Sequence, residues 1–425
     1  QLSFYDKRQL PNHSVFLESR YFHPGSNPFL TFTIKGHSFG VLICEDIWHP
    51  HHLQKLKTQN IETLISINAS PYYQDKFEHR IALCQQPEFK DIHHIYVNAV
   101  GGQDEFLFDG QSFVLNQKGE IVAKAHAFKE QLLHLEFKDG AFYGDITPAL
   151  NKTEELYQAL SLSLADFANK NHLQKAVLGL SGGIDSALTL VIAAHALGHT
   201  NVHALLMPSP YTAQMSIDDA ITLCQTLKVS YDIIPISHYV QEFKGLWKNP
   251  LNDLSQQNIQ ARIRGLILMT YANQEGALLL ATSNKSETAV GYCTLYGDMC
   301  GGFSVLKDLY KTQVYALAEF INQDQEIIPS RIITRPPTAE LAPNQLDQDD
   351  LPPYAILDNL LIDILEKRMD EASLKQKYEP AMVDKIFKRI KTSEFKRFQA
   401  APGTKVSPVA FGRDWRFPIS NAWKI

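Results

Sequence analysis

The chain has 425 residues, of which 44% are hydrophobic and 20% are charged, and its formal net charge is −6. The length favours two domains, and the composition is that of a globular protein. The net charge gives no global attraction to nucleic acid, and no apolar run approaches the roughly 18 residues of a membrane span. The five scattered cysteines form no CxxC pair and favour a reducing compartment. We therefore expect a cytoplasmic protein that binds neither nucleic acid nor a membrane.

The first 140 residues are rich in short β-like runs. A turn signal at 116–119 separates the last two runs as a hairpin. The stretch 137–151 is polar, contains glycine and proline, and has no periodicity. We expect a first domain at 1–140, a linker at 141–151 and a second domain at 152–425. The runs lie at 36–44, 62–70, 93–101, 111–116 and 120–125, with one helical pattern at 76–88.

The second domain alternates helical and strand patterns, which predicts a doubly wound parallel sheet of the Rossmann-like α/β class. A capping box at Ser216 predicts the start of one of its helices, and another helix is expected to begin at Ala187. Ligands of such sheets bind at the carboxyl ends of the strands. The strand patterns lie at 175–180, 201–208, 229–236 and 276–283, and the other main helices at 152–170 and 257–272.

The stretch GLSGGIDSAL (179–188) joins the first parallel strand to a helix. Adjacent glycines let backbone N–H groups approach an anion closely, and the helix N-terminus adds to the attraction. Ser181 and Ser186 offer hydroxyl donors. The stretch lacks GK[ST], so it is not a Walker A loop. A bare SGG would be only a tight β–α turn.

The full SGGIDS string resembles the pyrophosphate-binding loop of the ATP pyrophosphatase families, which cleave ATP between its α- and β-phosphates. Several longer strings resemble the glutamine-dependent NAD⁺ synthetase family. This resemblance implies ATP-dependent amidation of deamido-NAD⁺ through an acyl-adenylate, with Mg²⁺ as cofactor and a homo-oligomer formed by the synthetase domain. The strings lie at 207–220, 257–265, 281–308, 336–354 and 400–423.

The same resemblance implies three sets of binding residues. Asp185 and Glu287 match Mg²⁺ ligands, and Asn258, Glu287 and Lys396 match deamido-NAD⁺ contacts. Taken singly, Glu287 could be a helix N-terminal acid, and Lys396 could belong to a solvated basic face. The residues that match ATP contacts are Gly179, Leu180, Ser181, Gly182, Gly183, Ile184, Asp185, Ser186, Thr282, Lys311 and Thr338.

Two arginines of the 257–265 string, Arg262 and Arg264, suit phosphate pairing on general grounds, because a guanidinium meets a phosphate bidentately. Surface charges on an amphipathic helix are the other interpretation of these two residues.

In the first domain, Cys44 ends an apolar run and is followed by the acids Glu45 and Asp46. A single cysteine in this position is most often an inert core thiol, and neighbouring carboxylates disfavour the reactive thiolate. A cation brought in from elsewhere in the chain would be needed to make it reactive.

The strings at 5–22, 41–48, 68–76 and 97–114 resemble the carbon–nitrogen hydrolase (nitrilase) superfamily. This resemblance implies part of an α-β-β-α sandwich and a Glu–Lys–Cys triad that hydrolyses glutamine through a thioester. Lys7 and Cys44 match the triad lysine and nucleophile. The implied glutamine-binding residues are His13, where the family usually has Tyr, Ser70 and Lys76.

Three acids near this site have more than one interpretation. Glu18 matches a supporting acid of the superfamily or forms a core salt bridge, Glu45 could hold Lys7 or the substrate ammonium, and Asp46 could be structural. The triad glutamate should precede Lys7, but residues 1–6 contain none. We therefore expect that an N-terminal portion of this domain is missing and that this chain alone hydrolyses little glutamine.

Two alternative functions stay open. Another enzyme with the same loop, either an amidotransferase of the GMP- or asparagine-synthetase type or a tRNA-modifying enzyme, would use a different acceptor. A degenerate nucleotide-binding scaffold is disfavoured by the intact SGGIDS string, Glu287 and Lys311.

Overall fold

The computed structural model describes residues 3–13, 16–343, 345–412 and 414–420. The chain divides into two compact units. The first unit comprises Gln1–Gly102 and Phe106–Glu155, and the second comprises Gln103–Glu105 and Leu156–Ile425. Both are mixed α/β structures, as expected. The described residues contain no helix that combines the length and apolarity needed to cross a bilayer.

The first unit is built on a six-stranded sheet with the strand order β1-β2-β3-β4-β7-β8. Its helices are α1 (Pro50–Lys57) and α2 (Lys76–Cys84), and α3 (Lys152–Lys170) begins in it. Its strands are β1 (Thr31–Ile34), β2 (His37–Ile43), β3 (Thr63–Asn68), β4 (His93–Asn98), β5 (Val100–Gln103), β6 (Phe106–Asp109), β7 (Phe113–Leu115), β8 (Ile121–Lys124), β9 (Glu136–Lys138) and β10 (Ala141–Tyr143).

The three central strands β2, β3 and β4 run parallel, and the outer pairs are antiparallel. Leu53 and Leu56 of α1 pack in one core with Leu42, Leu64 and Tyr96 of these strands. Burying each of these leucines contributes roughly 2 kcal/mol, so α1 is held by its apolar face. The five β-like runs of the sequence are thus confirmed as β2, β3, β4, β7 and β8. The parallel strands β2, β3 and β4 end at one edge of the sheet, where Cys44 directly follows β2.

The expected linker at 141–151 contains a strand at its first residues. Ala141–Tyr143 forms β10 and pairs antiparallel with β9, and Phe142 is buried against Val114 and Ala123. The alternation of apolar and polar residues is hard to recognise in a strand of three residues. The polar residues on either side of β10 therefore hid this strand in the sequence.

The second unit contains a five-stranded sheet with the order β13-β12-β11-β14-β15, and all its neighbours are parallel. Its strands are β11 (Lys175–Gly179), β12 (Val202–Leu206), β13 (Ser230–Ile233), β14 (Ala277–Ala281) and β15 (Phe303–Ser304). Its helices are the rest of α3, α4 (Ile184–Leu197), α5 (Gln214–Leu227), α6 (Ser237–Gly245), α7 (Asp253–Glu275), α8 (Lys285–Val290), α9 (Lys311–Ile321), α10 (Ser330–Thr334), α11 (Tyr354–Leu365), α12 (Glu371–Lys377), α13 (Pro380–Thr392) and α14 (Glu394–Phe398).

The predicted doubly wound sheet is therefore confirmed. Strand β11 lies in the middle, with β12 on one side and β14 on the other, so the strand order reverses at β11. Ligands of open parallel sheets bind where this reversal opens a crevice at the carboxyl ends. The loop after Gly179 starts at that point.

Two predicted helix starts need correction. Helix α4 begins at Ile184 rather than at Ala187, so Asp185 and Ser186 lie in its first turn. Helix α5 begins at Gln214, and Ser216 lies inside it with its hydroxyl bonded to Glu340. A distant partner therefore takes the hydroxyl that a local capping box would have used.

Buried histidines make the first unit sensitive to acid. Burial lowers the pKa of His94 to about 3 and that of His52 to about 4. Since unfolding returns each pKa to about 6.5, the unfolded chain binds protons that the folded chain excludes. The stability contributed by neutral histidine is complete above pH 6.5 and is lost as the pH falls towards the folded pKa values.

We expect the unfolding temperature to fall between pH 7.5 and pH 5, with His94 accounting for about 2 kcal/mol of lost stability at pH 5. His94→Gln cannot take up this proton and should show a smaller fall. The exposed His126, changed to Gln, is the matched control and should keep the wild-type slope. Thermal denaturation followed by circular dichroism measures all three slopes, and equal slopes would contradict the assignment.

Candidate active sites

The first candidate site surrounds Cys44, the first residue of a short 3₁₀ helix (Cys44–Trp48) that follows β2. Its backbone has φ +48°, a left-handed conformation that residues other than glycine seldom adopt. Strain of this kind is concentrated at functional positions. The loop thus places a half-buried thiol at the carboxyl end of a parallel strand.

Opposing influences act on the thiol. Burial raises the pKa of Cys44, and Glu45 and Glu18 act in the same direction. The Lys7 ammonium lowers this pKa, and so does the backbone N–H of Ala69, which hydrogen-bonds to the sulfur. The cation that Cys44 needs is therefore supplied by Lys7, whose motif lies more than thirty residues earlier in the chain.

Lys7 and its segment are held by two different acids. The ammonium of Lys7 donates to both carboxylate oxygens of Glu18, each at 2.7 Å. Asp46 accepts from the backbone N–H groups of Arg8 and Gln9 and from the Tyr5 hydroxyl. Glu18 is thus the partner of Lys7, and Asp46 is structural because it ties residues 5–9 to the loop after β2.

Glu45 faces histidines rather than Lys7. Its Oε1 lies 3.5 Å from His13 Nε2 and 3.8 Å from His49 Nε2. His13 is exposed, so this side chain stands at the outer edge of the site. The proposed contact between Glu45 and Lys7 does not occur.

The two other implied glutamine contacts lie at the same edge of the sheet. Ser70 follows β3 and is buried, and Lys76 opens α2 with its ammonium 5.0 Å from the ring centres of both Trp48 and Tyr73. Burial lowers the pKa of Lys76 to about 8, and the Arg80 charge adds to this effect. The Cys44 thiolate acts in the opposite direction and favours the charged lysine.

The sequence analysis did not identify the network that fixes Ser70. The fully buried Arg80 donates from Nε to the Ser70 hydroxyl (3.1 Å) and from Nη2 to the Ser70 carbonyl (2.7 Å). Its guanidinium also forms a bidentate pair with Asp109, with both contacts at 2.8 Å. Asn98 Oδ1 accepts from the Ser70 N–H at 2.9 Å. Arg80 lies four residues after Lys76, and nothing in the neighbouring sequence distinguishes it from a charged residue on the protein surface.

The second candidate site is a cavity of about 990 Å³ within the second unit, at the carboxyl ends of its strands. This volume lies at the upper end of the range for small-molecule pockets. The implied nucleotide contacts that line it are Gly179, Leu180, Ser181, Gly183, Ile184, Asp185, Ser186, Asn258, Thr282, Glu287, Lys311, Thr338 and Lys396. Among the described residues, Gly182 is the implied ATP contact that does not line this cavity.

The loop itself is braced by its serines. The Gly183 N–H donates to Ser181 Oγ (3.2 Å), and the Ser186 hydroxyl donates to the Gly183 carbonyl (3.0 Å). Gly182 has φ +79°, and a Cβ there would lie 2.3 Å from the Ser216 carbonyl oxygen. Gly182 is therefore required for the close approach of the loop to α5, and Gly183 faces the cavity.

Lys311 brings two carboxylates together at the mouth of this loop. Its ammonium contacts Asp185 Oδ2 and lies 3.0 Å from Glu287 Oε1. Burial alone would lower the pKa of Lys311, but the two carboxylates together raise it. Burial raises the pKa of Glu287, with Lys311 opposing and Asp185 and Asp347 adding to the rise. The cluster thus holds more acid than base.

This excess of acid fits a divalent cation. In the described part of the chain, no group of three or more His, Cys, Asp or Glu side chains could hold a metal ion by itself. Mg²⁺ in nucleotide sites typically uses one or two carboxylates and completes its shell with water and phosphate oxygens. Asp185 and Glu287 meet that requirement, because both reach the same ammonium nitrogen.

Several side chains that the sequence analysis did not identify fix this cluster. Asn284 donates to Asp185 Oδ1 (2.9 Å) and accepts from the Glu287 N–H (3.0 Å), which also caps α8. The Ser286 hydroxyl accepts from the Lys311 N–H at 2.9 Å and donates to the buried Asp358. Asn284 could have been found as the N-cap that precedes the implied Glu287, whereas Asp358 gives no such signal.

The remaining implied contacts lie around the cavity with partners of their own. Asn258 Oδ1 accepts from the Thr294 hydroxyl, and the Thr338 hydroxyl donates to the Gln345 carbonyl. The Lys396 ammonium donates to the carbonyls of Gly291 and Cys293, each at 2.7 Å. Lys396 is therefore held by the end of α8 and is not part of a freely solvated face.

The geometry agrees with the similarities to known proteins. A family model described as carbon-nitrogen hydrolase matches residues 2–139, and one described as NAD synthase matches residues 156–400. A glutamine-dependent NAD(+) synthetase from Acinetobacter baylyi is 45% identical over 434 residues, which cover 100% of this chain and 80% of the relative. The enzyme of the same description from Aquifex aeolicus is 41% identical over 461 residues, covering 99% and 81%.

Solved structures give the same result. The structure of glutamine-dependent NAD⁺ synthetase from Acinetobacter baumannii in complex with ADP has 41% identity and a TM-score of 0.74. The match covers 99% of this chain and 79% of that one. A synthetase structure from Cytophaga hutchinsonii has a TM-score of 0.80 at 21% identity, covers 98% and 79%, and supports the fold alone.

The fold and the family models define an enzyme that joins a carbon–nitrogen hydrolase unit to an NAD synthase unit. With relatives at 41–45% identity over almost its whole length, the chain belongs to the glutamine-dependent NAD⁺ synthetase family.

The packing of Gly182 gives a test of the loop. Gly182→Ala should cost about 3 kcal/mol, because the left-handed backbone is strained and the Ser216 carbonyl must move. Gly276 also has a left-handed φ, +60°, but open space around it, so Gly276→Ala should cost only about 1 kcal/mol. Thermal unfolding compares the two variants, and equal shifts would show that the contact with Ser216 is not tight.

Proposed function

We propose that this chain forms NAD⁺ from deamido-NAD⁺, ATP and ammonia, and that Cys44 of its first unit is the nucleophile for the hydrolysis of glutamine, a reaction that we expect to be slow in this chain by itself. The observation that carries the proposal is the cluster of Asp185, Lys311 and Glu287 beside the glycine loop, at the reversal point of a parallel sheet. A cation flanked by acids, next to backbone N–H groups, suits a polyphosphate that arrives with a metal ion.

The proposed reaction has two steps in the second unit. A carboxylate oxygen of the nicotinate group attacks the α-phosphorus of ATP, the α–β phosphoanhydride bond breaks, and pyrophosphate leaves. Ammonia then attacks the acyl carbon and AMP leaves, which forms the amide. The chain positions these groups and neutralises charge, and no side chain needs to form a covalent bond.

The residues of the second unit have matching roles. The loop at Ser181–Gly183 would hold the leaving pyrophosphate through backbone N–H groups, and Lys311 would neutralise charge that develops on it. Asp185 and Glu287 would hold Mg²⁺, which lowers the repulsion between the phosphates and the attacking carboxylate. Asn258 and Lys396, on the cavity wall, would contact deamido-NAD⁺.

In the first unit, the Cys44 thiolate would attack the glutamine side-chain amide. Ammonia leaves, and water then hydrolyses the thioester to glutamate. Lys7 favours the thiolate, and the Ala69 N–H is available beside the sulfur. Ser70, Lys76 and His13 would bind the rest of the glutamine. A cytoplasmic location and a homo-oligomer formed by the second unit remain predictions.

Product analysis tests the synthetase reaction. With ATP, deamido-NAD⁺ and ammonium, we expect NAD⁺, AMP and pyrophosphate in equal amounts. Lys311→Met should lower the rate roughly 10²- to 10³-fold, because it removes one charge-stabilising donor. Lys175→Met is the matched control, since Lys175 is exposed at the opposite end of β11. Pyrophosphate exchange that required xanthosine monophosphate instead of deamido-NAD⁺ would overturn the proposed substrate.

Thiol alkylation tests the role of Lys7 without requiring turnover. Lys7→Met removes the charge that lowers the Cys44 pKa, so the pH profile of iodoacetamide labelling should move to higher pH. Lys35→Met changes an exposed lysine in the turn between β1 and β2 and should leave the profile unchanged. Mass spectrometry of the peptide that contains Cys44 gives the labelling rate. An unchanged profile in Lys7→Met would remove Lys7 from the proposed mechanism.

A further inference from the structure

Two arginines and one glutamate lie beside the glycine loop, outside the Lys311 cluster. Arg335 follows α10 and donates from Nη1 to the Ser216 hydroxyl at 2.7 Å. Its Nη2 donates to the Gly182 carbonyl at 3.2 Å, and its Nη1 lies 3.6 Å from Glu340 Oε1. Arg335 is thus attached directly to the backbone of the loop that carries the proposed pyrophosphate site.

Glu340 occupies this corner of the cavity in a strained conformation. Its Oε1 accepts from the Ser216 hydroxyl at 2.6 Å, and its backbone has φ +49°. A non-glycine residue keeps a left-handed conformation only where its surroundings enforce it. The contacts that hold it here are those of its carboxylate with Ser216 and Arg335 and that of its backbone N–H with the Thr338 hydroxyl at 3.2 Å.

Arg264, on α7, lines the same cavity as Glu340. Its Nε donates to the carbonyl of Met207, the residue directly after β12, at 3.0 Å. Burial lowers the pKa of Arg264 to about 10, and the charge of Glu340 opposes this effect. A guanidinium that has lost much of its hydration requires an anion nearby, and Glu340 is the carboxylate that acts on it.

These groups have the charge and the location of a phosphate site. Arg335 lies beside the carboxylate of Glu340, and Arg264 adds a second guanidinium to the same cavity, so these three side chains together carry one positive charge in excess. The cavity described above is lined by all of these groups, namely Arg264, Arg335, Glu340, Ser216 and Gly183. They lie where β11 and β12 end, at the reversal of the strand order, and guanidiniums bind phosphate oxygens bidentately.

We propose that Arg264 and Arg335 form a binding subsite for the phosphates of ATP, and that the Glu340 carboxylate competes with those phosphates for the two guanidiniums. This inference rests on the proposed use of ATP. A phosphate carries more charge than a carboxylate and displaces it from the arginines. Residues 336–340 then move away from the loop, and Glu340 leaves its strained backbone conformation.

Binding of ADP and of adenosine, measured by isothermal calorimetry at fixed Mg²⁺ concentration, tests the proposal. Glu340→Gln keeps the side-chain shape and an acceptor for Ser216 but removes the competing charge. It should tighten ADP binding about five-fold and leave adenosine binding unchanged. Glu319→Gln removes the same charge from an exposed position on α9 and should change neither affinity.

The arginine variant tests the other half of the inference. Arg335→Gln should weaken ADP binding roughly ten- to a hundred-fold while adenosine binding stays within two-fold of the wild type. Unchanged adenosine binding and an unchanged unfolding temperature show that the variant is folded.

Three outcomes would overturn the proposal: ADP binding that is unchanged in Glu340→Gln, ADP binding that is weaker in this variant, and equal weakening of ADP and adenosine in Arg335→Gln. Failure of the wild-type protein to bind ADP at all would instead refute the proposed function. The two failures are therefore distinguishable.

Discussion

The synthetase site depends on one buried ammonium, that of Lys311, held between the carboxylates of Asp185 and Glu287. These three residues lie in the first turns of α9, α4 and α8, so three helices begin at one point. The positive ends of helix dipoles favour the two acids and disfavour the lysine. Lys311 stays charged there because both acids contact it, and each acid stays close to the other because Lys311 lies between them.

This mutual dependence explains why so many polar side chains surround the cluster. Asn284 fixes Asp185 and Glu287 together, and Asp358 fixes the start of α9 through the Thr312 N–H and the Ser286 hydroxyl. Charges in a region of low dielectric constant interact strongly. A small displacement of Lys311 would therefore change its electrostatic interaction with both carboxylates. This hydrogen-bond network supplies the positional precision that the three charges themselves cannot.

The sequence allowed prediction of features that depend on neighbours in the chain. The SGGIDS string specifies a strand, a turn with a left-handed Gly182 and a helix start, and all three are found. The alternation of strands and helices was sufficient to predict the parallel sheet. Features that depend on distant partners were not accessible. Ser216 looked like a cap but bonds to Glu340, which lies 124 residues away.

The same limit applies to the hydrolase unit. Cys44, Lys7 and Ser70 were identified through the resemblance of their strings, but the Arg80–Asp109 pair that fixes Ser70 was not. Spacing alone gives Arg80 the appearance of an ordinary charge on α2, because its burial follows only from how α2 and β6 pack.

The pair of Arg80 and Asp109 also illustrates how much a buried ion pair contributes to stability. Removing two charges from water costs about as much free energy as their attraction returns, so a buried pair adds little net stability. Loss of one partner is nevertheless costly, because it leaves an unpaired charge in the interior. We infer that the pair is retained for its geometry. Arg80 contacts both the hydroxyl and the carbonyl of Ser70, and the preceding residue, Ala69, directs its N–H at the Cys44 sulfur. A rigid, buried charge pair therefore sets the position of the backbone that surrounds the Cys44 thiol.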